Sequence, residues 1–276
     1  KDTINTHLRT LNGLSLSGTT AIRARIIRTL VLPIQVATTS TELQSLVEES
    51  RALEDYDLAL RCLLAQIRYA WASGDRSKIG VYFSEAEEAC RRLNTDFHKG
   101  YLAFIRGHQH LEDFALSKAR SRFADALTIF DSLDHRRYSS LTTALLGEVH
   151  FYQGDFTSAR SVFATLYGSP HEYVTAKSRY FSAQMAVFED DYQNALVEVR
   201  HSLALSENLG ELRCLVAGLA MLVTHRTGEF AEAKRFENLA DDLAAKFASK
   251  KITIERYKAE IAGLEGNSEL RDQLLD

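Results

Sequence analysis

Apolar residues recur along this chain at the three- and four-residue spacing of amphipathic helices, and those helices repeat. Phe83, Phe123 and Phe163 stand 40 residues apart. Ala86 and Ala126 follow the first two by three residues, and Leu166 takes that place after the third. A fixed period of roughly 34 to 45 residues marks stacked helical hairpins. The pattern therefore predicts an all-α chain of antiparallel helix pairs with no sheet. Only two prolines, Pro33 and Pro170, interrupt it, in keeping with a largely helical chain, because proline breaks helix interiors.

The segment 146–159 shows one hairpin most clearly. Leu146 to Gln153 reads as the end of a helix, Gly154-Asp155 as a turn, and Phe156 to Ala159 as the start of a second helix. Gly154 permits the backbone conformation that ends the first helix. Asp155 can accept from the free N–H groups of the second. Ala159 is small enough for two helices to cross closely. In its Gly147, Gly154, Phe156, Ala159 and Phe163 the segment resembles the tetratricopeptide repeat, with Leu166 departing from the small residue expected there.

The same frame recurs at Gly74-Asp75, Ile79, Phe83 and Ala86, and at Gly107, Asp113, Ala119, Phe123 and Ala126. It returns at Asp191-Tyr192, Ala195, Val199 and Ser202, and at Gly228-Glu229-Phe230, Ala233 and Ala240, with Glu237 in an aromatic place. The position held by Ile79, Ala119, Ala159, Ala195 and Ala233 repeats at 40, 40, 36 and 38 residues, above the usual period of about 34, so helices or connections are longer than the family norm. The resemblance implies a right-handed α–α superhelix.

Five hairpins cover residues 56–249, and residues 250–276 form an incomplete sixth. Its first helix is expected over 252–264, with Ile252, Ile254, Tyr257, Ile261 and Leu264 as apolar positions. The segment after it is short, leaving Leu270, Leu274 and Leu275 only partly covered. The exposed face of this last repeat is expected to mediate self-association or to be filled by a continuation of the chain. Residues 19–55 read as an atypical N-terminal cap, with a helix over 19–36 containing Pro33 and a second over 41–53 begun by Ser40 or Thr41. Leu43 and Leu46 of the latter lie 40 residues before Phe83 and Ala86. Residues 1–18 hold a short helix over 2–12, and Ser15–Thr20 is the one candidate linker.

Net charge is −4 at neutral pH, too small to predict binding to nucleic acid or to an anionic membrane. No run of about 18 apolar residues suggests a membrane span. Cys62, Cys90 and Cys214 are far apart and sit in apolar helical patterns. They read as small buried hydrophobes of a reducing, cytoplasmic environment.

Catalytic and metal chemistry find little support. His108 and His110 are two apart and point to roughly opposite sides of a helix. His108 and Glu112 can share a face, but two ligands are too few for zinc. Glu189-Asp190-Asp191 reads as a helix-capping turn rather than a calcium loop. No phosphate loop, serine nucleophile or zinc motif is present. The chain is expected to be no enzyme and to need no cofactor; a hydrolase with a site scattered in sequence is the remotest alternative.

In tetratricopeptide arrays a few positions on each first helix line an inner groove. Carried onto this sequence, the resemblance places Arg61, Arg68 and Trp71 there in the first hairpin. It adds Tyr101, His108 and Glu112, then Glu148 and Tyr152, then Lys177, Tyr180 and Gln184, and finally His225 and Arg226. Gly218 and Leu222 also fall at groove positions. Arginine, tyrosine and tryptophan are the residues that anchor interfaces, so the groove is expected to take a peptide or protein partner.

Residues 2–12 carry a further resemblance. Thr3, Ile4, His7, Leu8 and Leu11 resemble the recognition helix of LuxR-type and related regulators, although Asn12-Gly13-Leu14 replaces the basic residues that usually follow. The hairpin segment, with its long period, also looks like the superhelical domain of maltose-activator-like bacterial regulators. Together these imply the regulatory part of a bacterial transcription regulator, with a small-molecule effector as the alternative ligand. An ordinary amphipathic helix over 2–12 remains the competing reading. No direct nucleic-acid binding is expected of this stretch, because half a helix-turn-helix cannot dock.

Overall fold

The computed structural model describes residues 36–73 and 77–275, together with Thr20. The helix expected over 2–12, residues 21–35 of the next one, nearly all of the Ser15–Thr20 linker and the Gly74-Asp75 turn lie outside the described residues. Thirteen α-helices and one 3-10 turn make up the described elements, with no strand among them. They fall into two compact units, one ending at Ile105 and the other beginning at Arg106.

The first unit contains α1 (Val36–Ala52), α2 (Tyr56–Ser73) and α3 (Ile79–Leu93), each packed on the next. α1 begins several residues before the expected Ser40 or Thr41. Its Leu43 and Leu46 are buried, as are Phe83 and Ala86 of α3, so this hairpin frame reaches further upstream than the clear repeats do. α4 (Asp96–Glu112) runs across the boundary between the units.

The second unit continues with α5 (Leu116–Ser132), α6 (Arg136–Tyr152), α7 (Phe156–Thr165), α8 (Glu172–Phe188) and α9 (Tyr192–Leu205). After these come α10 (Gly210–Arg226), α11 (Phe230–Ala244), a 3-10 turn at Ala248–Lys250, α12 (Lys251–Leu264) and α13 (Ser268–Leu275). Helices pair within hairpins: α6 with α7, α8 with α9, α10 with α11, α12 with α13. The first helices also pack side by side, α6 on α8, α8 on α10 and α10 on α12. That layer carries the candidate site.

The turns work as expected. Gly154 has φ +75°, and its N–H donates to the Phe151 carbonyl at 2.9 Å while that of Asp155 donates to His150 at 3.0 Å. These bonds satisfy carbonyls at the end of α6. The Asp155 carboxylate accepts from the Ser158 N–H at 3.1 Å, and Asp191 repeats the cap on the Asn194 N–H at 3.1 Å.

The repeat's aromatic position is the core. Phe123 and Phe163 are fully buried, and Phe163 stacks on Phe181 with ring centroids 5.3 Å apart. Leu166 fills a place expected to hold a small residue because α7 stops at Thr165. As the residue after the helix, Leu166 is not at the helix crossing, and it buries with Ala144 and Val174.

Two expectations about side chains are corrected. Ile254 is 1% exposed but Ile252 is 70% exposed, since residues two apart lie about 200° apart around a helix and cannot share its apolar face. Gly218 is no groove residue: a β-carbon there would lie 2.5 Å from Ile254 Cδ1, so it is where α12 crosses α10. Leu222 is likewise buried.

Candidate functional site

One face of α8 lines a cavity of about 880 Å³ within the second unit. Tyr173, Lys177, Tyr180, Phe181, Gln184 and Phe188 all reach it. Their spacing keeps to one stripe of the helix, and from the first to the last the stripe runs about 22 Å at roughly 1.5 Å per residue. His108 and Glu112 enter from α4, and Glu148, Phe151 and Tyr152 from α6. The far wall comes from the start of α10 and from Lys250, Thr253, Arg256 and Tyr257.

At its centre Lys177 Nζ lies 2.5 Å from Glu148 Oε2, with both side chains nearly buried. The ammonium also sits 5.9 Å from the ring centres of Tyr173 and Phe181, within reach of their electron-rich faces. Burial alone would discharge Lys177, but Glu148 and Tyr173 outweigh it and hold its pKa above the usual lysine value. Lys177 thus keeps its charge in a poorly solvated place, against the Glu148 carboxylate.

Beside it His108 is held neutral. Burial, reinforced by the positive charges of Lys177 and Lys250, pulls its pKa down to about 3. Tyr180 and Tyr257 come from helices far apart in sequence. Their hydroxyls meet at 3.4 Å, and the Gln184 amide donates to both, at 2.9 Å and 3.1 Å. Burial first, and then the neighbouring Tyr257, push the Tyr180 phenol well above its ordinary pKa. Burial and Glu148 do the same to Tyr152. All three tyrosines therefore act as neutral hydrogen-bonding groups at neutral pH.

The structure brings together His108, Glu112, Glu148, Tyr152, Lys177, Tyr180 and Gln184. Lys177 and Tyr180, which the resemblance places on the surface of an inner groove, are both buried. The remaining candidates stand elsewhere. Arg61 pairs along its own helix with Asp57 at 2.8 Å. Tyr101 stacks between Phe97 and Phe104. His225 meets Glu265 and Arg226 meets Glu260, at 3.1 Å and 3.0 Å, so both tie α10 to the C-terminal hairpin. The side chains of Arg68 and Trp71 lie outside the described residues.

Sequence reasoning missed Tyr173, Lys250, Arg256 and Tyr257. Tyr173 lies four residues before Lys177, one turn back along the same stripe, and that spacing could have found it. No signal marked the others, because they reach the cavity only through the way α12 packs on α10. Among the described residues no group of three or more histidine, cysteine or acidic side chains is placed to hold a metal ion. No described helix is long and apolar enough to cross a membrane.

No family model matches this chain, and no curated protein matches it. Solved structures do. A Rap protein complexed with Competence and Sporulation Factor superposes with a TM-score of 0.68 at 12% identity, over 98% of this chain and 78% of that one. RapI in its apo form gives 0.58 at 12% identity, over 99% and 89%. BtubC (BKLC) from P. vanneervenii gives 0.58 at 16% identity, over 77% and 92%. At these identities the likeness concerns the fold, and with the hairpins and packing above it establishes that this chain is folded as a tetratricopeptide-like helical repeat.

Proposed function

We propose that the chain is a non-enzymatic binding module and that the cavity along α8 takes an extended peptide or a segment of a protein partner. The observation that carries this is the shape and lining of the cavity. A stripe of about 22 Å along a helix accommodates about six or seven residues of extended chain. Its lining alternates aromatic surface with hydrogen-bonding groups, which is what a peptide's side chains and backbone need together. Tyr152, Tyr180, Gln184 and Tyr257 offer neutral donors and acceptors, and the Lys177–Glu148 pair offers both charges. A structure of similar fold was solved with Competence and Sporulation Factor bound, which supports a binding role for this fold.

A small-molecule effector is the second reading, and the cavity volume of about 880 Å³ favours it, since pockets for such ligands span about 300 to 1,000 Å³. The setting we propose for either is the cytoplasmic regulatory part of a bacterial transcription regulator, on the resemblance of residues 2–12 to a recognition helix.

Affinity selection from a pool of synthetic hexapeptides with degenerate positions, read by mass spectrometry, tests the first reading. The wild-type protein should retain a defined subset, and Tyr180→Ala should lose it. Retention of no subset, while a metabolite mixture raises the thermal midpoint, would transfer the site to the effector reading.

A further inference from the structure

An aromatic ridge crosses the hairpin turns at the end of this unit. Phe114 sits 5.7 Å from Tyr152 by ring centroids, and Phe151 touches Tyr152, Phe156 and Phe188 at 5.5, 5.5 and 5.9 Å. Phe156 and Phe188 close the cluster at 5.6 Å. It therefore spans three successive hairpins. Its outer members face solvent: Phe114 is 65% exposed, Phe188 68% and Tyr152 42%.

Phe114 is the most informative of them. It has φ +57°, and the corresponding turn positions of the unit hold Asp134, Gly154, Asp190, Gly228 and Gly266, also at positive φ. A bulky residue is strained there. Phe114 gains neither an easy backbone nor much burial, so neither turn chemistry nor core packing accounts for it.

The ridge is bordered by acid. Glu112 and Asp113 precede Phe114, Asp155 precedes Phe156, and Glu189, Asp190 and Asp191 follow Phe188. No lysine or arginine occurs within 112–116, 151–156 or 186–192. Among the described residues Arg160 reaches Glu189 at 2.6 Å and His150 lies 3.3 Å from Asp155. Acid repels nucleic acid and anionic lipid, and a second copy of the ridge would set acid against acid. Exposed aromatic surface calls for apolar side chains, and the acidic border calls for basic ones.

We propose that this ridge docks a basic amphipathic segment of a partner protein, its apolar side chains on Phe114 and Phe188 and its lysines or arginines against the bordering carboxylates. The ridge shares Phe151, Tyr152, Phe188 and Glu112 with the lining of the cavity, whereas Phe114 belongs to the ridge alone, and the proposal does not rest on the function proposed above.

The test uses a fluorescein-labelled leucine–lysine peptide of about 14 residues, long enough for an amphipathic helix, and the same peptide with glutamate for lysine. Fluorescence anisotropy should show saturable binding of the first and none of the second. The double variant Phe114→Gly, Phe188→Ser should weaken binding about tenfold or more, as loss of aromatic anchors does. Val197→Ser, at an apolar residue 51% exposed on α9, should leave it unchanged. Phe114→Gly relieves the turn rather than damaging it, so a native thermal midpoint is expected, and the single variant is read alone if the double one melts early. Absence of saturable binding, equal binding of both peptides, or full binding by Phe114→Gly overturns the proposal. So does a wild-type dimer in sedimentation that Phe114→Gly, Phe188→Ser converts to monomer, which would give the ridge to a second copy.

Discussion

A β-carbon on Gly147 would stand 2.7 Å from Cε1 of Phe163. The same relation, again 16 residues apart in sequence, holds between Gly107 and Phe123, where the distance is 2.6 Å. Each glycine lets the ring of the second helix approach the backbone of the first where a β-carbon would collide with it. Gly147→Ala should therefore overpack the hairpin and destabilise the protein by about 1–3 kcal/mol. Phe123→Ala should cost roughly 3–5 kcal/mol by leaving a cavity. Urea unfolding monitored by helical circular dichroism measures both; a negligible loss in either would mean that the ring does not seat there.

Removing one member of the Lys177–Glu148 pair leaves the other charge buried. Lys177→Met is expected to cost about 3–5 kcal/mol, whereas the double variant Lys177→Met, Glu148→Leu should recover most of that loss. A double-mutant cycle of unfolding free energies checks it. Additive effects of the two changes would show that the pair is solvated.

His108 sets an acid limit. Its folded-state pKa lies near 3, below the unfolded value of about 6.5, so the unfolded chain takes up a proton that the folded chain refuses. Its contribution to stability is present above about pH 6.5 and falls as pH drops towards the folded value, by at most about 1.4 kcal/mol per pH unit. His108→Gln should flatten this part of the stability–pH curve. An unchanged slope between pH 6.5 and pH 4, both rough bounds of that window, would mean that His108 reaches water.

Tyr257→Phe removes the hydroxyl that meets Tyr180 and Gln184 but keeps the ring. A loss of about 1 kcal/mol is expected, the usual net value of such a hydrogen bond, with the larger effect on any ligand of the cavity, whose far wall this residue forms. Phe114→Gly is expected to leave the thermal midpoint unchanged or raise it, because the turn then holds a residue suited to positive φ. A clear fall in the midpoint would show that Phe114 packs more than its exposure indicates.

The sequence by itself determined the hairpins. Phe123, Phe163, Ala119 and Ala159 repeat because each hairpin must bury the same contacts against its neighbours, and Gly154 and Asp155 mark their turn by local backbone chemistry. It also placed His108, Glu148, Tyr152, Lys177, Tyr180 and Gln184 on the inner helices, since a repeat frame assigns a residue to a face. What it could not assign is how far that face opens. Tyr180 and Lys177 are buried, while Arg61 and Arg226 spend their charge on neighbouring acids and His225 meets Glu265. Tyr257 joins Tyr180 across 77 residues of chain. Such meetings depend on how successive hairpins rotate as they stack, a quantity summed over many packing contacts and written in no single residue. The aromatic ridge has the same origin: Phe114, Tyr152 and Phe188 sit at three separate turns, and only the stacking of the hairpins makes them one surface.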